Sequence, residues 1–166
     1  MENKKKILIA TAFPTHGAGS GSLVTTQAKS YEEVGHDVVI ITGNNRTDFD
    51  KLDGVRYHVV PFTTHTESTA NFWNVGLEEL EQYCKAFKSA LYDEVKNFNP
   101  DVIHAQHNWL LSSSATEMGK PVVTTIHGTD LMGYEKSKLT LAEVMKKLNI
   151  IKNSEKISSS DLSKVE

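Results

Sequence analysis

Apolar residues along this chain fall into two alternating patterns: short continuous runs, and longer stretches in which they recur every three or four positions. The run ending Ile9-Ala10-Thr11-Ala12-Phe13 meets Pro14-Thr15-His16-Gly17-Ala18-Gly19-Ser20-Gly21-Ser22, which predicts a buried strand opening into a loop. Leu23, Val24, Ala28, Tyr31 and Val34 then take helical spacing. Ser20 or Ser22 is the expected N-cap, and Gly35 stands where a left-handed residue would end the helix. His36–Thr42 reads as a second buried strand, stopped by Gly43-Asn44-Asn45 and followed by a polar loop, Arg46–Gly54. Val55–Val60 is a third strand closed by Pro61.

Thr63–Asn74 has no period and is expected to be a long exposed loop. Leu77, Leu80, Cys84, Phe87, Leu91, Val95 and Phe98 carry the strongest helical signal in the chain, ended by Asn99-Pro100. Asp101–His107 predicts a fourth strand, Trp109–Met118 a helix, and Val122–His127 a fifth strand opening into Gly128-Thr129-Asp130. A helix is expected from about Leu139 to Leu148. Asn153–Glu166 is serine-rich and weakly apolar, either a strand with a helix start or a frayed end.

Strands alternating with helices give an α/β fold: a Rossmann-like, doubly wound parallel sheet. Right-handed crossovers then favour the strand order 3-2-1-4-5. Ligands of such sheets bind beyond the carboxyl ends of the strands, where the order reverses. That crevice should collect the Gly17–Ser22 loop, Thr42–Gly43, Gln106–Asn108 and His127–Asp130.

The 166 residues suffice for one domain with a sizeable core. A net charge of −3 spread over both halves leaves no electrostatic footprint for nucleic acid, and Lys4-Lys5-Lys6 reads as a solvated start. The basic start has no small-residue cleavage site after it, and no stretch approaches ~18 apolar residues. Cys84 stands alone on an apolar helix face, which excludes a disulfide within one chain. A reducing, cytoplasmic setting fits these features.

The glycine loop fails as a dinucleotide fingerprint, because Ser22 occupies the last glycine position and the loop starts late after the strand. It has no P-loop lysine. Its place between the first strand and first helix still suits a phosphate, facing backbone N–H groups and a helix dipole. Zinc would want three converging ligands, and His107, His127 and Asp130 are the most that could supply them, so no metal is expected. His104 and Gln106 share one face of the fourth strand. His16, His36, His58 and His65 read as loop or surface histidines. His127 and Asp130 differ in following a central strand, where a histidine can meet a sugar hydroxyl or a phosphate oxygen. Glu135 and Glu143, eight apart, read as a solvated face.

Three segments in this order and spacing resemble the N-terminal domain of retaining glycosyltransferases of family 4. They are Lys6-Ile7-Leu8-Ile9 with its glycine loop and Gly35–Thr42, then Pro100–His107, then Lys120–Asp130. The resemblance covers roughly residues 5 to 165. It implies the GT-B architecture, two facing Rossmann-like domains with the active site between them. It also implies transfer of a sugar from a nucleotide-sugar donor to an acceptor (sugar, lipid or small molecule), with retention and without a metal or other cofactor.

On that resemblance the candidate catalytic residues are His127, beside the donor sugar, and Asp130. The candidate donor-phosphate and acceptor contacts are Gly17, Gly19, Ser20, Gly21, Ser22, His107, Asn108, Gly128 and Thr129. The whole of 1–166 would be the acceptor-side domain, with the C-terminal nucleotide-sugar domain absent, so the chain alone is expected to be inactive. Membrane docking lacks a clear amphipathic basic helix here. The alternatives are a stand-alone nucleotide- or carbohydrate-binding Rossmann-like module without catalysis, a partner-binding domain, and a sugar-nucleotide epimerase of the same architecture.

Overall fold

A computed structural model describes residues 4–15, 19–44, 51–61, 77–108, 111–128 and 130. Its strands are β1 (Lys6–Thr11), β2 (Asp37–Asn44), β3 (Arg56–Pro61), β4 (Val102–Gln106) and β5 (Val122–Thr125). Its helices are α1 (Ser20–Glu33), α2 (Leu77–Phe98) and α3 (Leu111–Thr116). The sheet order is β3-β2-β1-β4-β5, with every pair parallel. This is the doubly wound order expected from the sequence.

The continuous apolar runs of β1 and β2 reflect burial on both faces. Ile7, Ile9, Val38 and Ile40 pack with Val24 and Ala28 of α1. Leu8, Ala10, Val39 and Ile41 pack on the opposite face with Leu80, Tyr83, Phe87 and Leu91 of α2 and with Leu111 and Ala115 of α3. The strand period of two therefore divides one sequence run between two cores. Cys84 is half-buried against the second of these, and burial, with Glu81 nearby, pushes its thiol up to about 11.

Helix α1 begins differently from the sequence expectation. Its N-cap is Gly19, at φ 73° and ψ −130°, and Ser20 is already helical. That backbone region is open to glycine and strained for a serine, so neither expected serine caps the helix. Its C-terminus is as expected. Gly35 takes φ 93°, its N–H donates to Glu32 O at 2.8 Å, and His36 N–H donates to Tyr31 O at 3.0 Å. This pair of bonds is a Schellman motif.

β4 stops at Gln106 and not at His107, because His107 leaves the sheet at φ 75°. β5 likewise stops at Thr125 and not at His127. In the described part of the third predicted helix, Trp109–Met118, α3 covers Leu111–Thr116, and residues 117–119 form a turn ending at Gly119, φ 67°. The expected loop Thr63–Asn74, the helix near Leu139–Leu148 and the tail Asn153–Glu166 lie outside the described residues. So do Glu135, Glu143, His16 and His65. No helix of the described residues is long and apolar enough to cross a membrane.

Two polar features tie α2 to the sheet. The Tyr83 hydroxyl donates to Ala12 O at 2.8 Å, and Gly43 lies directly beneath it. A Cβ at Gly43 would overlap the hydroxyl and stand 2.6 Å from Ala12 O. Gly43→Ala is therefore expected to lower the unfolding free energy by about 2–3 kcal/mol. Urea denaturation with an unchanged m-value is the check, and a loss under about 0.5 kcal/mol would remove the argument.

The second feature corrects the reading of His58 as an ordinary surface residue. Glu94 is buried and receives both Arg56 guanidinium nitrogens, at 2.7 and 2.6 Å, while His58 Nδ1 lies 3.0 Å away. Burial pushes the Glu94 carboxyl up, but the hydrogen bonds from Arg56 and His58 outweigh it and hold the group below its ordinary value.

Candidate functional site

The site forms where β4 and β5 end side by side. Asp130 is the centre of it. Its side chain is 5% exposed and accepts three hydrogen bonds. The donors are His127 N–H at 2.7 Å, Asn108 N–H at 3.4 Å and His107 Nδ1–H at 3.0 Å. Asp130 N–H also donates to His127 O at 2.9 Å, which closes the turn through Gly128. The aspartate thus binds the chain leaving β4 to the chain leaving β5. Burial pushes its carboxyl up, yet the bonds from His107, His127 and Asn108 prevail and hold it below the ordinary aspartate value.

The two histidines stack, with ring centroids 4.2 Å apart and planes 25° from parallel. Phe13, on the exit of β1, meets the His107 ring edge-on at 4.6 Å. His107 is 1% exposed, and its Nε2 is buried with no partner among the described residues. A histidine at positive φ, wedged between an aromatic ring and another imidazole, is held there by Asp130. Backbone strain of this kind concentrates at working sites.

Beneath the histidines runs a second polar layer. His127 Nε2 stands 2.9 Å from Gln106 Oε1. Gln106 Nε2 donates to Gln27 Oε1 at 2.8 Å and lies 3.2 Å from His104 Nε2. His104 continues to Thr125 Oγ1 at 2.8 Å and, through Nδ1, to Tyr31 Oη at 3.2 Å. Gln27 and Tyr31 belong to α1, so this layer joins the first helix to the end of β4.

Burial lowers the basicity of His104, and burial together with the neighbouring His107 and His104 rings lowers that of His127 against the pull of Asp130. Both imidazoles are therefore neutral at pH 7. The sign follows directly. A base whose folded pKa is depressed contributes stability above its ordinary value, near 6.5, and loses it as pH falls from there through the folded value. The unfolding free energy should begin to decline as pH falls below about 7, before carboxylates start to titrate. His104→Asn should flatten part of that decline, and a wild-type profile level over this range in urea titrations would contradict the assignment.

Of the residues singled out in the sequence, His107, Asn108, His127, Gly128 and Asp130 are brought together. Gly19, Ser20, Gly21 and Ser22 form the N-cap and first turn of α1, with Gly21 buried and Ser22 exposed. Thr25 Oγ1 fastens this turn to the β1 exit by donating to Thr15 O at 3.0 Å. Among the described residues that turn makes no hydrogen bond to the histidine cluster, and α1 reaches the cluster about two turns later, at Gln27. Gly17 and Thr129 lie outside the described residues. The trio weighed for zinc is a hydrogen-bonded set, and among the described residues no group of histidine, cysteine, aspartate and glutamate is arranged to hold a metal ion.

Sequence reasoning missed Gln27 and gave Gln106 no role of its own. The available signal was the shared face of His104 and Gln106 on a strand otherwise apolar, two polar residues that burial obliges to find partners.

Comparison with known proteins bears on the fold and the family. Among curated proteins no sequence matches the chain. Many solved structures match the chain, among them the following three. Sucrose-phosphate synthase from Thermosynechococcus elongatus matches with a TM-score of 0.60 and 12% identity, over 87% of this chain and 40% of that one. The C-terminal domain of a hydrogenase from Pyrococcus furiosus matches with a TM-score of 0.51 and 18% identity, over 75% and 95%. The glycosyltransferase SnogD from Streptomyces nogalater matches with a TM-score of 0.50 and 14% identity, over 88% and 38%. The chain thus spans about two fifths of the length of the two carbohydrate enzymes. The family model for Glycosyltransferase Family 4 matches residues 17–154, from the glycine loop through both histidine-bearing strand ends. The chain belongs to glycosyltransferase family 4.

Proposed function

We propose that this chain is the acceptor-side half of a retaining glycosyltransferase that moves a sugar from a nucleotide-sugar donor to an acceptor. The observation that carries it is the buried His107–Asp130–His127 cluster at the carboxyl ends of β4 and β5, inside the segment that matches the family. Ligands of open α/β sheets bind at that edge. His127 is the group we assign to the donor sugar, as a neutral imidazole. Asp130 acts through others. It accepts from three donors, and so orients His127 and the Asn108 backbone. His107 supports the His127 ring by stacking, and the glycine-led turn of α1 offers backbone N–H groups to the diphosphate. Gly128 follows His127 in the turn that Asp130 closes. No metal or cofactor is required by this assignment.

The donor's base and ribose would be held by a second, nucleotide-binding domain. The 166-residue chain alone should therefore turn over no nucleotide sugar. The test begins with the mass of the product made from the gene in its own cell, followed by assay of that product against a panel of nucleotide sugars. In an active product His127→Ala should lower kcat by about 10²–10³-fold, the cost of losing one preorganised electrostatic contact. Turnover by the isolated chain would overturn the division of labour. A gene product of this same size that binds sugars without turnover would favour the stand-alone binding module.

A further inference from the structure

His107 stands in a conformation that its own covalent structure opposes. Its φ of 75° lies in the left-handed region, where the Cβ of any residue but glycine crowds the following carbonyl. The apolar run of β4 would carry it on as an extended residue, yet the strand ends one position earlier, at Gln106. Such a conformation persists only where its surroundings over-determine it.

Three hydrogen bonds surround the residue. Its N–H donates to Thr125 O at 3.0 Å, one further step of the β4–β5 ladder. Its Nδ1–H donates to Asp130 Oδ1 at 3.0 Å. That direction cannot be reversed, because Asp130 is ionised at neutral pH and a carboxylate only accepts. At the carbonyl, Ser112 Oγ–H from the first turn of α3 donates to His107 O at 3.1 Å. This direction is fixed as well, since a carbonyl oxygen has no hydrogen to give. With its hydrogen committed, Ser112 Oγ accepts from Thr124 Oγ1–H of β5 at 3.3 Å. The opposite order would set Ser112 Oγ and His107 O against each other as two acceptors 3.1 Å apart.

The three bonds constrain different things. The N–H lies in the peptide plane before φ, so its bond to Thr125 suits an extended His107 equally well. The carbonyl lies beyond both soft dihedrals of the residue, so a partner there selects among backbone conformations. Asp130 then selects the direction of the ring. We infer that Ser112 is a positioning residue for His127: by holding the His107 carbonyl it keeps His107 at positive φ, with its ring on Asp130 and stacked 4.2 Å from the His127 ring. Ser112 itself is assigned no contact with substrate. The inference rests on the proposed function only in giving His127 work at the donor sugar. Its test needs no substrate, so its failure and the failure of that function are separate results.

The experiment is hydrogen exchange of the His107 Nδ1 proton, followed by NMR on the nitrogen-15-labelled 166-residue chain at pH 7. The coupling between the His107 amide and α protons is read alongside, because it reports φ. His107 is 1% exposed, so this proton exchanges when the site opens. Wild type should show a protected Nδ1–H and a coupling smaller than that of an extended residue. Ser112→Ala should speed the exchange by roughly fivefold or more, the scale of one lost hydrogen bond. The amides of Ile9 and Ile40, fully buried in the middle of the sheet, should keep their rates. Alanine suits a helix better than serine does, so the urea midpoint should move little.

Ser112→Thr keeps the hydroxyl, and with it the wild-type exchange rate and coupling. A merely structural role would lower the urea midpoint of Ser112→Ala and speed all three protons alike, and that result would overturn the inference. So would a Ser112→Ala chain whose His107 Nδ1–H stays as protected as in wild type, or a Ser112→Thr chain that exposes it as fully as alanine does. A wild-type coupling characteristic of an extended His107 would overturn it before any variant is made.

Discussion

Replacing Asp130 by alanine is expected to lower the unfolding free energy by about 4 kcal/mol, the usual scale for removing one partner from a buried charged network. Three donors lose their acceptor at once: the His127 and Asn108 amides and His107 Nδ1. The His107 side chain is 1% exposed, so water cannot replace what is lost there without opening the site. Asp130→Asn keeps the shape and one acceptor oxygen, and should cost about half as much, near 2 kcal/mol.

The pH dependence follows from the lowered carboxyl. A depressed acid pKa contributes stability above its unfolded value that is lost as pH falls through the folded one. The wild-type and alanine curves should therefore converge below about pH 4. Urea unfolding followed by circular dichroism measures both. A loss under about 1 kcal/mol at pH 7 would mean that the aspartate is not the organising group.

Glu94→Gln is expected to be the next most damaging change, at about 3 kcal/mol. Glu94 ties α2 to the edge strand β3, receiving a bidentate guanidinium from Arg56 and lying beside His58 Nδ1. A carboxamide keeps the volume but turns an N–H₂ toward a guanidinium donor, leaving a donor–donor contact at a side chain 5% exposed. Arg56, 53% exposed, can find water when its partner is removed, so Arg56→Ala should cost less than Glu94→Gln. The reverse ranking would place the anchor at the arginine. Since the Glu94 carboxyl is also held below its ordinary value, this contribution too is present above about pH 4.3 and fades as pH falls below it.

The two variants report on different parts of the molecule. Asp130 joins the ends of β4 and β5, whereas Glu94 pins a helix to the opposite edge of the sheet. They share no partner, so their effects should add to within about 0.5 kcal/mol. That additivity separates loss of the site from loss of the scaffold. A variant at Asp130 that impairs substrate handling far beyond its stability cost would tie the aspartate to function through His127.

Much of this fold was legible before any coordinates. The α2 boundaries, Leu77–Phe98, follow the apolar positions at three and four residue spacing and the Asn99-Pro100 stop. Gly35 was expected at positive φ and stands there. The strand order follows from handed crossovers between strands that alternate with helices. The N-cap of α1 was misread because serine chemistry suits a cap, and nothing local shows that the backbone enters the helix at φ 73°, ψ −130°. His58 was misread because its partner Glu94 lies 36 residues away on the solvent-averse side of a helix.

The site divides in the same way. His107, Asn108, His127 and Asp130 could be placed at one edge from sequence, because each follows a strand and parallel strands end at the same side of a sheet. That Asp130 would accept from three donors, and that the histidines would stack, could not be read there. Gln27 lies 79 residues from the Gln106 amide it hydrogen-bonds. The sequence by itself determined which elements form, in what order, and which strand ends share an edge, since periodicity, turn residues and crossover handedness are local or generic properties. The tertiary structure alone decided which polar side chains become partners. Partnership is made by groups brought together by folding, and polar residues carry no periodic signal that announces it.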